Sequence, residues 1–147
     1  MDRIREHSRI NSTSYISIDI EPTSQGMMVC VSLDMNNNIA IGNSTIYTRG
    51  LLRNAKEVVH EFKDKVMNLS QWHNQTAGRI HDYILSLKEE VRLKVKRGEF
   101  VSSDYSREIE SNVLEEQKHL GASLFLLNVL KQDASFLDEL EKYCERT

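Results

Sequence analysis

The chain has 147 residues, of which 39% are hydrophobic and 28% charged, with a net charge of −3; that is enough apolar material for a core and excludes full disorder. No run approaches the roughly 18 apolar residues of a membrane span, the opening Met-Asp-Arg-Ile-Arg-Glu-His has no apolar stretch of a signal peptide, and a pI near 6.0 does not mark a nucleic-acid binder. One proline and six glycines argue against a turn-rich all-β fold and for a mostly helical cytoplasmic protein.

Residues 1–13 read as a flexible polar arm, with Ile4 and Ile10 its only aliphatic residues after Met1. From Ser14 the period is two: Ile16, Ile18 and Ile20 alternate with Tyr15, Ser17, Asp19 and Glu21, the pattern of a half-buried strand. Pro22 to Gly26 is turn chemistry. Val29, Val31 and Leu33 mark a second strand, Asn36-Asn37-Asn38 a second turn, and Ile39, Ile41, Ile46 and Tyr47 a weaker third strand with room for a bulge near Gly42. Three strands over residues 14–48 joined by short turns predict an antiparallel meander with one face needing cover.

At Gly50 the period changes. Leu52, Ala55, Val59, Phe62, Val66 and Leu69 recur in steps of three and four, and the stripe resumes at Ile80, Tyr83 or Ile84, Leu87, Val91 and Val95. Between them the phase falls on His73 and Thr76. Because the stripe keeps phase across this polar gap, one helix of about 70 Å is expected, at about 1.5 Å per residue; the alternative is a break between Asn68 and Asn74. Gly98 is a helix stop, and the serines and aspartate of 102–104 can cap the next helix. A second helical pattern runs from Ser106 to Arg146 through Ile109, Val113, Leu120, Leu124, Leu127 and Leu130, then Leu137, Leu140 and Cys144. Residues 124–130 are apolar almost all round, and residues 133–135 could cap a separate last helix.

Net charge is −1 over residues 1–50, +3 over 51–100 and −5 over 101–147. A turn over 98–105 would fold the two helices antiparallel, setting Lys88, Arg92, Lys94, Lys96 and Arg97 near Glu108, Glu110, Glu115 and Glu116. Each exposed pair is worth only about 0–1 kcal/mol, but the pattern favours this pairing over others. Cys30 and Cys144 have no metal-like spacing and read as thiols in a reducing compartment. The sequons at Asn11, Asn43, Asn68 and Asn74 carry no weight without a secretory route.

Motifs for chemistry are few. None of His7, His60, His73, His81 and His119 has the spacing of a zinc-protease helix, so no metal and no cofactor are expected. His73, on the apolar stripe, reads as a core or interface histidine. Arg53 and His60 form an Arg-x6-His pair that resembles the motif of HEPN-type ribonucleases, which would make them catalytic on a phosphodiester; the meander ahead of the helices departs from that family. Asp19 on the first strand, with Glu57 and Glu61 on a following helix, resembles the opening of an RNase H-like nuclease, whose spaced carboxylates hold two metal ions; no fourth or fifth strand follows here. Three strands and a helix opening Arg53-Asn54-Ala55-Lys56 resemble a double-stranded RNA-binding domain, which grips phosphates through basic residues at a helix start. In that reading Arg53, Lys56, Lys63, Lys65, Lys88, Arg92, Lys94, Lys96 and Arg97 contact nucleic acid. There is no Gly-rich phosphate loop, Gly-x-Ser-x-Gly elbow or Cys-His nucleophile.

The fold expected is therefore α+β: a three-stranded meander followed by two long helices, residues 51–147, forming an antiparallel hairpin packed on the sheet in a single domain. The helices carry more apolar stripe than a small sheet can cover. The expected function is a non-enzymatic protein–protein interaction module, an adaptor, regulator or inhibitor, whose partners are a second copy of itself and another protein. Its interaction face would be Phe62, Val66, Leu69, His73, Ile80, Leu87, Leu124, Leu127 and Leu130. The alternatives are the nucleic-acid binder and a metal-dependent or HEPN-like nuclease.

Overall fold

A computed structural model describes residues 3–11, 14–38, 41–132, 137–140 and 142. Four antiparallel strands form a sheet in the order β1-β2-β3-β4 among the described residues: β1 (Ile4–Asn11), β2 (Ser14–Thr23), β3 (Gly26–Asn38) and β4 (Gly42–Leu51). A short 3-10 turn (Leu52–Asn54) leads into α1 (Ala55–Lys96), and α2 (Asp104–Gln132) returns antiparallel to it. The α+β class and the sheet-then-hairpin order are as expected, with two corrections in the sheet.

The N-terminal segment is a strand, not an arm. Ile4 pairs with Ile20 and Arg9 with Tyr15. Arg3 holds Asp19 through two bonds of 3.0 and 2.7 Å, and Arg5 approaches the same carboxylate at 3.5 Å. Arg3, just before the edge strand, and Arg5 on it thus meet a carboxylate on the next strand, while Ile4 and Ile10 pack against the core. The asparagine run is the second correction. Pairing continues to Asn38 opposite Gly42, with an irregularity after Met35, so the reversal comes later and Gly42 supplies the positive φ of +74°. Ile39 lies outside the described residues. The first turn is tight as expected, with Gly26 at φ +118° and Thr23 Oγ1 donating to the Gly26 carbonyl at 2.8 Å.

The alternation of β2 and β3 sends Ile16, Ile18, Ile20, Val29, Val31, Leu33 and Met35 into one buried layer. Leu52, Ala55, Val58, Val59, Phe62 and Val66 cover it, joined by Leu126 and Val129 of α2 and by Leu137 and Leu140. Thr48 Oγ1 donates to the Val58 carbonyl at 3.0 Å, pinning the first turns of α1 to β4. There Gly50 lets the helix approach: a Cβ would lie 2.7 Å from Val58 Cγ2.

α1 is one unbroken helix of 42 residues, about 63 Å long at 1.5 Å per residue. It runs through the polar gap because its buried positions past Val66 (Ser70, His73, Ala77, Ile84 and Leu87) keep to one side. Beyond Leu69 none of them belongs to the sheet core, so the distal part of α1 and the facing part of α2 form a two-helix arm. α1 ends as a Schellman motif: Gly98, at φ +70°, donates to the Val95 carbonyl and Glu99 to that of Lys94. Ser102 Oγ then accepts from the Asp104 amide at 3.2 Å at the start of α2. Residues 133–136 lie outside the described residues, and with them the proposed cap of a last helix.

The hairpin forms without its expected ion pairs. Cross-helix contacts join Ser70 to Ser123, His81 to Glu116 and Glu90 to Tyr105. In this register residues 88–97 face the turn and the first residues of α2, so Glu108 and Glu116 lie opposite Tyr83 and His81 instead. Arg92 bonds Glu89 on its own helix at 2.6 and 2.9 Å, and Lys94 lies 5.2 Å from the centre of the Tyr105 ring. Among the described residues, no lysine or arginine of 88–97 pairs with a carboxylate of α2.

Candidate functional site: the helical arm

Along the arm, α1 presents Val66, Ser70, His73, Ala77, Ile80, Ile84 and Leu87 to α2 with the alternating four-three spacing of a coiled-coil seam. Where the sheet core ends, this seam turns polar. Ser70 Oγ donates to the Ser123 carbonyl at 3.0 Å and lies 2.9 Å from Ser123 Oγ, with both serines buried. One turn further, His73 Nδ1 lies 2.8 Å from His119 Nδ1, and His73 is only 5% exposed. Trp72 sets its ring edge-on to both imidazoles, at centroid distances of 4.9 and 5.8 Å. Burial first, and the neighbouring His119 second, hold the His73 imidazole below its ordinary pKa. Thr76 Oγ1 follows, buried with no hydrogen-bond partner among the described residues. Towards the tip His81 meets Glu116 at 3.2 Å, Tyr83 donates to Glu108, and Tyr105 donates to Glu90 at 3.1 Å.

The outer side of α2 carries a short apolar row among exposed polar residues. Leu120, Leu124 and Leu127 recur at i, i+4 and i+7, one row on a helix; Leu124 is 60% and Leu120 44% exposed, and Leu127 is half-buried. Leu120 lines an open groove with Asn74, Ala77, Gly78, His81 and Glu116. Gly78 and Gly121 have open space where a side chain would stand.

The expected interaction face divides. Phe62 and Val66 are fully buried under the sheet, and His73 and Leu87 are buried in the arm, so the chain itself occupies them. Leu69 and Leu130 are half-buried against the core, and Ile80 is half-buried. Leu124, with Leu127 beside it, remains open.

The basic candidates do not form one surface. Arg53, Lys56, Lys88, Lys96 and Arg97 are exposed. Lys63 pairs with Asp138 at 3.8 Å, and Lys65 with Glu61 at 3.8 Å; Lys65 also donates to the Tyr47 carbonyl at 2.9 Å and lies 5.8 Å from the Tyr47 ring centre. Arg53 lines a hollow with Gln25, Gly26, Met27, Leu51 and Leu52. His60 is outside that hollow and pairs with Asp64 at 3.3 Å. Arg53 and His60 thus have different neighbours among the described residues.

On the open face of the sheet Asp19 is held by Arg3 and Arg5, and its carboxyl pKa is lowered, chiefly through its bonds from Arg3. Arg49 pairs with Glu21 at 3.8 Å. This face neutralises most of its arginines with its own carboxylates. Among the described residues no group of three or more His, Cys, Asp or Glu side chains could hold a metal ion, so Asp19 does not converge with Glu57 and Glu61. Cys30 is a free thiol on this face, its pKa raised chiefly by burial.

Sequence reasoning missed the pairing of His73 with His119 and of Ser70 with Ser123, partners 46 and 53 residues apart. Reading both helices for the four-three seam, rather than for apolar residues alone, would have placed Ser70 opposite the second helix. Among the described residues no helix is long and apolar enough to cross a membrane. Comparison of the chain with protein-family models, with curated proteins and with solved structures gives no significant match to any of them.

Proposed function

We propose that the protein is a non-enzymatic, cytoplasmic interaction module that pairs with a second copy of itself along the helical arm. The observation that carries this reading is the row Leu120–Leu124–Leu127 on α2, which starts on the two-helix arm at Leu120 and runs back over the part of α2 that packs on the sheet core. Fully burying an exposed leucine is worth about 1.5–3 kcal/mol, and one chain leaves part of that gain unused at Leu120 and Leu124, with less still to be gained at the half-buried Leu127. Charge favours a second copy: Lys88, Lys96 and Arg97 make no ion pair among the described residues, while residues 101–147 carry −5. An antiparallel copy would bring these opposite charges together. The test is Leu124→Glu combined with Leu120→Glu. A dimer in the wild type that becomes a monomer of 17.0 kDa, with an unchanged circular dichroism spectrum, supports the reading. An unchanged mass overturns it.

A second reading, binding of nucleic acid, is favoured by the same three exposed cations near the tip and by Tyr47, 60% exposed beside Lys65. Reversing Lys88, Lys96 and Arg97 to glutamate should then abolish retention of RNA at low salt, with the fold intact.

A further inference from the structure

We propose that the His73–His119 contact is a proton-operated latch that holds the arm closed at neutral pH and releases it in mild acid. Two imidazole nitrogens 2.8 Å apart can share only one proton between them: one Nδ1–H donates and the other Nδ1 accepts. When the pair is neutral the bond forms. A first added proton goes to the outer nitrogen of the donor ring, leaving the bond intact and charge-assisted. A second proton must go to the accepting Nδ1. That sets two N–H groups against each other and places two cations in a seam where His73 is 5% exposed, so the contact is lost.

The surroundings offer the second charge little relief. On α1, residues 66–78 contain no aspartate, glutamate, lysine or arginine, and the neighbours in the seam are the paired Ser70 and Ser123 and the unpartnered Thr76. On α2, Glu116 bonds His81 at 3.2 Å and Glu115 pairs with Lys118 at 3.1 Å. Among the described residues His119 is the group whose charge bears on His73. No carboxylate is bonded to either ring of the pair among the described residues. The layer lies where the sheet core ends, so its opening frees the distal arm and leaves the sheet core unaffected.

The inference rests on the arm as the working part only for its consequence, because stability and titration read the latch whether or not the chain dimerises. Trp72 is the one tryptophan of the chain and touches both rings, so its emission reports their charge. Between pH 7.5 and 5.5 the wild type should lose Trp72 emission and melt lower by about 2–4 °C or more than His119→Gln over the same interval, since glutamine can bond His73 and does not titrate. Equal pH slopes for the wild type, His119→Gln and His73→Gln would overturn the latch. Imidazole titration by NMR in the wild type needs no variant. Two coupled steps, the later one accompanied by shifts along residues 77–116, support the latch, whereas independent titration of both rings with unmoved helix signals rejects it.

Discussion

Asp19 lies between Arg3 and Arg5 at the seam of β1 and β2, and the bonds from Arg3 hold its carboxyl below its ordinary pKa. A carboxylate held low in the folded state stabilises it above its unfolded pKa and loses that contribution as pH falls through the folded value. The Arg3–Asp19 tie should therefore persist down to about pH 4 and vanish in stronger acid. Because these groups are partly exposed, Asp19→Asn should cost no more than about 1 kcal/mol. Hydrogen exchange of the β1 amides should rise in this variant, and unchanged exchange would show that backbone pairing alone holds the strand. Burial raises the stakes for Phe62, which is fully enclosed: Phe62→Ala should cost about 3–5 kcal/mol in urea unfolding. Gly50→Val meets Val58 at 2.7 Å and should cost about 1–3 kcal/mol. A near-neutral result for Gly50→Val would show that α1 can shift away from β4.

Among the elements, the hairpin seam couples stability to specificity. Ser70 and Ser123 satisfy each other inside it, so Ser70→Ala alone should cost about 1 kcal/mol, while adding Ser123→Ala should cost less than the sum of the two. Strict additivity in that cycle would mean that the serines act independently. The elements also differ in how openly the chain spells them. Ile16, Ile18 and Ile20, and the three-four steps from Leu52 to Leu69, each repeat one period often enough to name a strand and a helix. β1 was not legible because Ile4 and Ile10 are too few to set a period, and the strand gains its place from pairing with β2. The reversal after Asn38 and the hairpin register depend on partners far along the chain, so the expected pairing of Lys88 to Arg97 with Glu108 to Glu116 came out displaced. The open row at Leu124 was legible as a surplus of apolar residues. That Phe62 and Val66 are used up within the chain could be seen only once the sheet was in place.

For the whole molecule, one compact base and one protruding arm divide the work. The base buries the sheet against α1 and the end of α2, and the arm keeps Leu120 at its surface and, near its tip, Lys88, Lys96 and Arg97 with no ion pair among the described residues. Pairing of two arms through opposite charges should weaken with salt, so the dimer constant should fall between low salt and 0.5 M salt. Light scattering on the wild-type protein across a dilution series tests the central claim most directly, with absorbance followed at 260 and 280 nm. The wild type should show a mass near twice 17.0 kDa with a protein-only spectrum, falling towards one chain on dilution. A mass of one chain at every concentration would contradict it, and excess absorbance at 260 nm removed by nuclease would transfer the arm to nucleic acid.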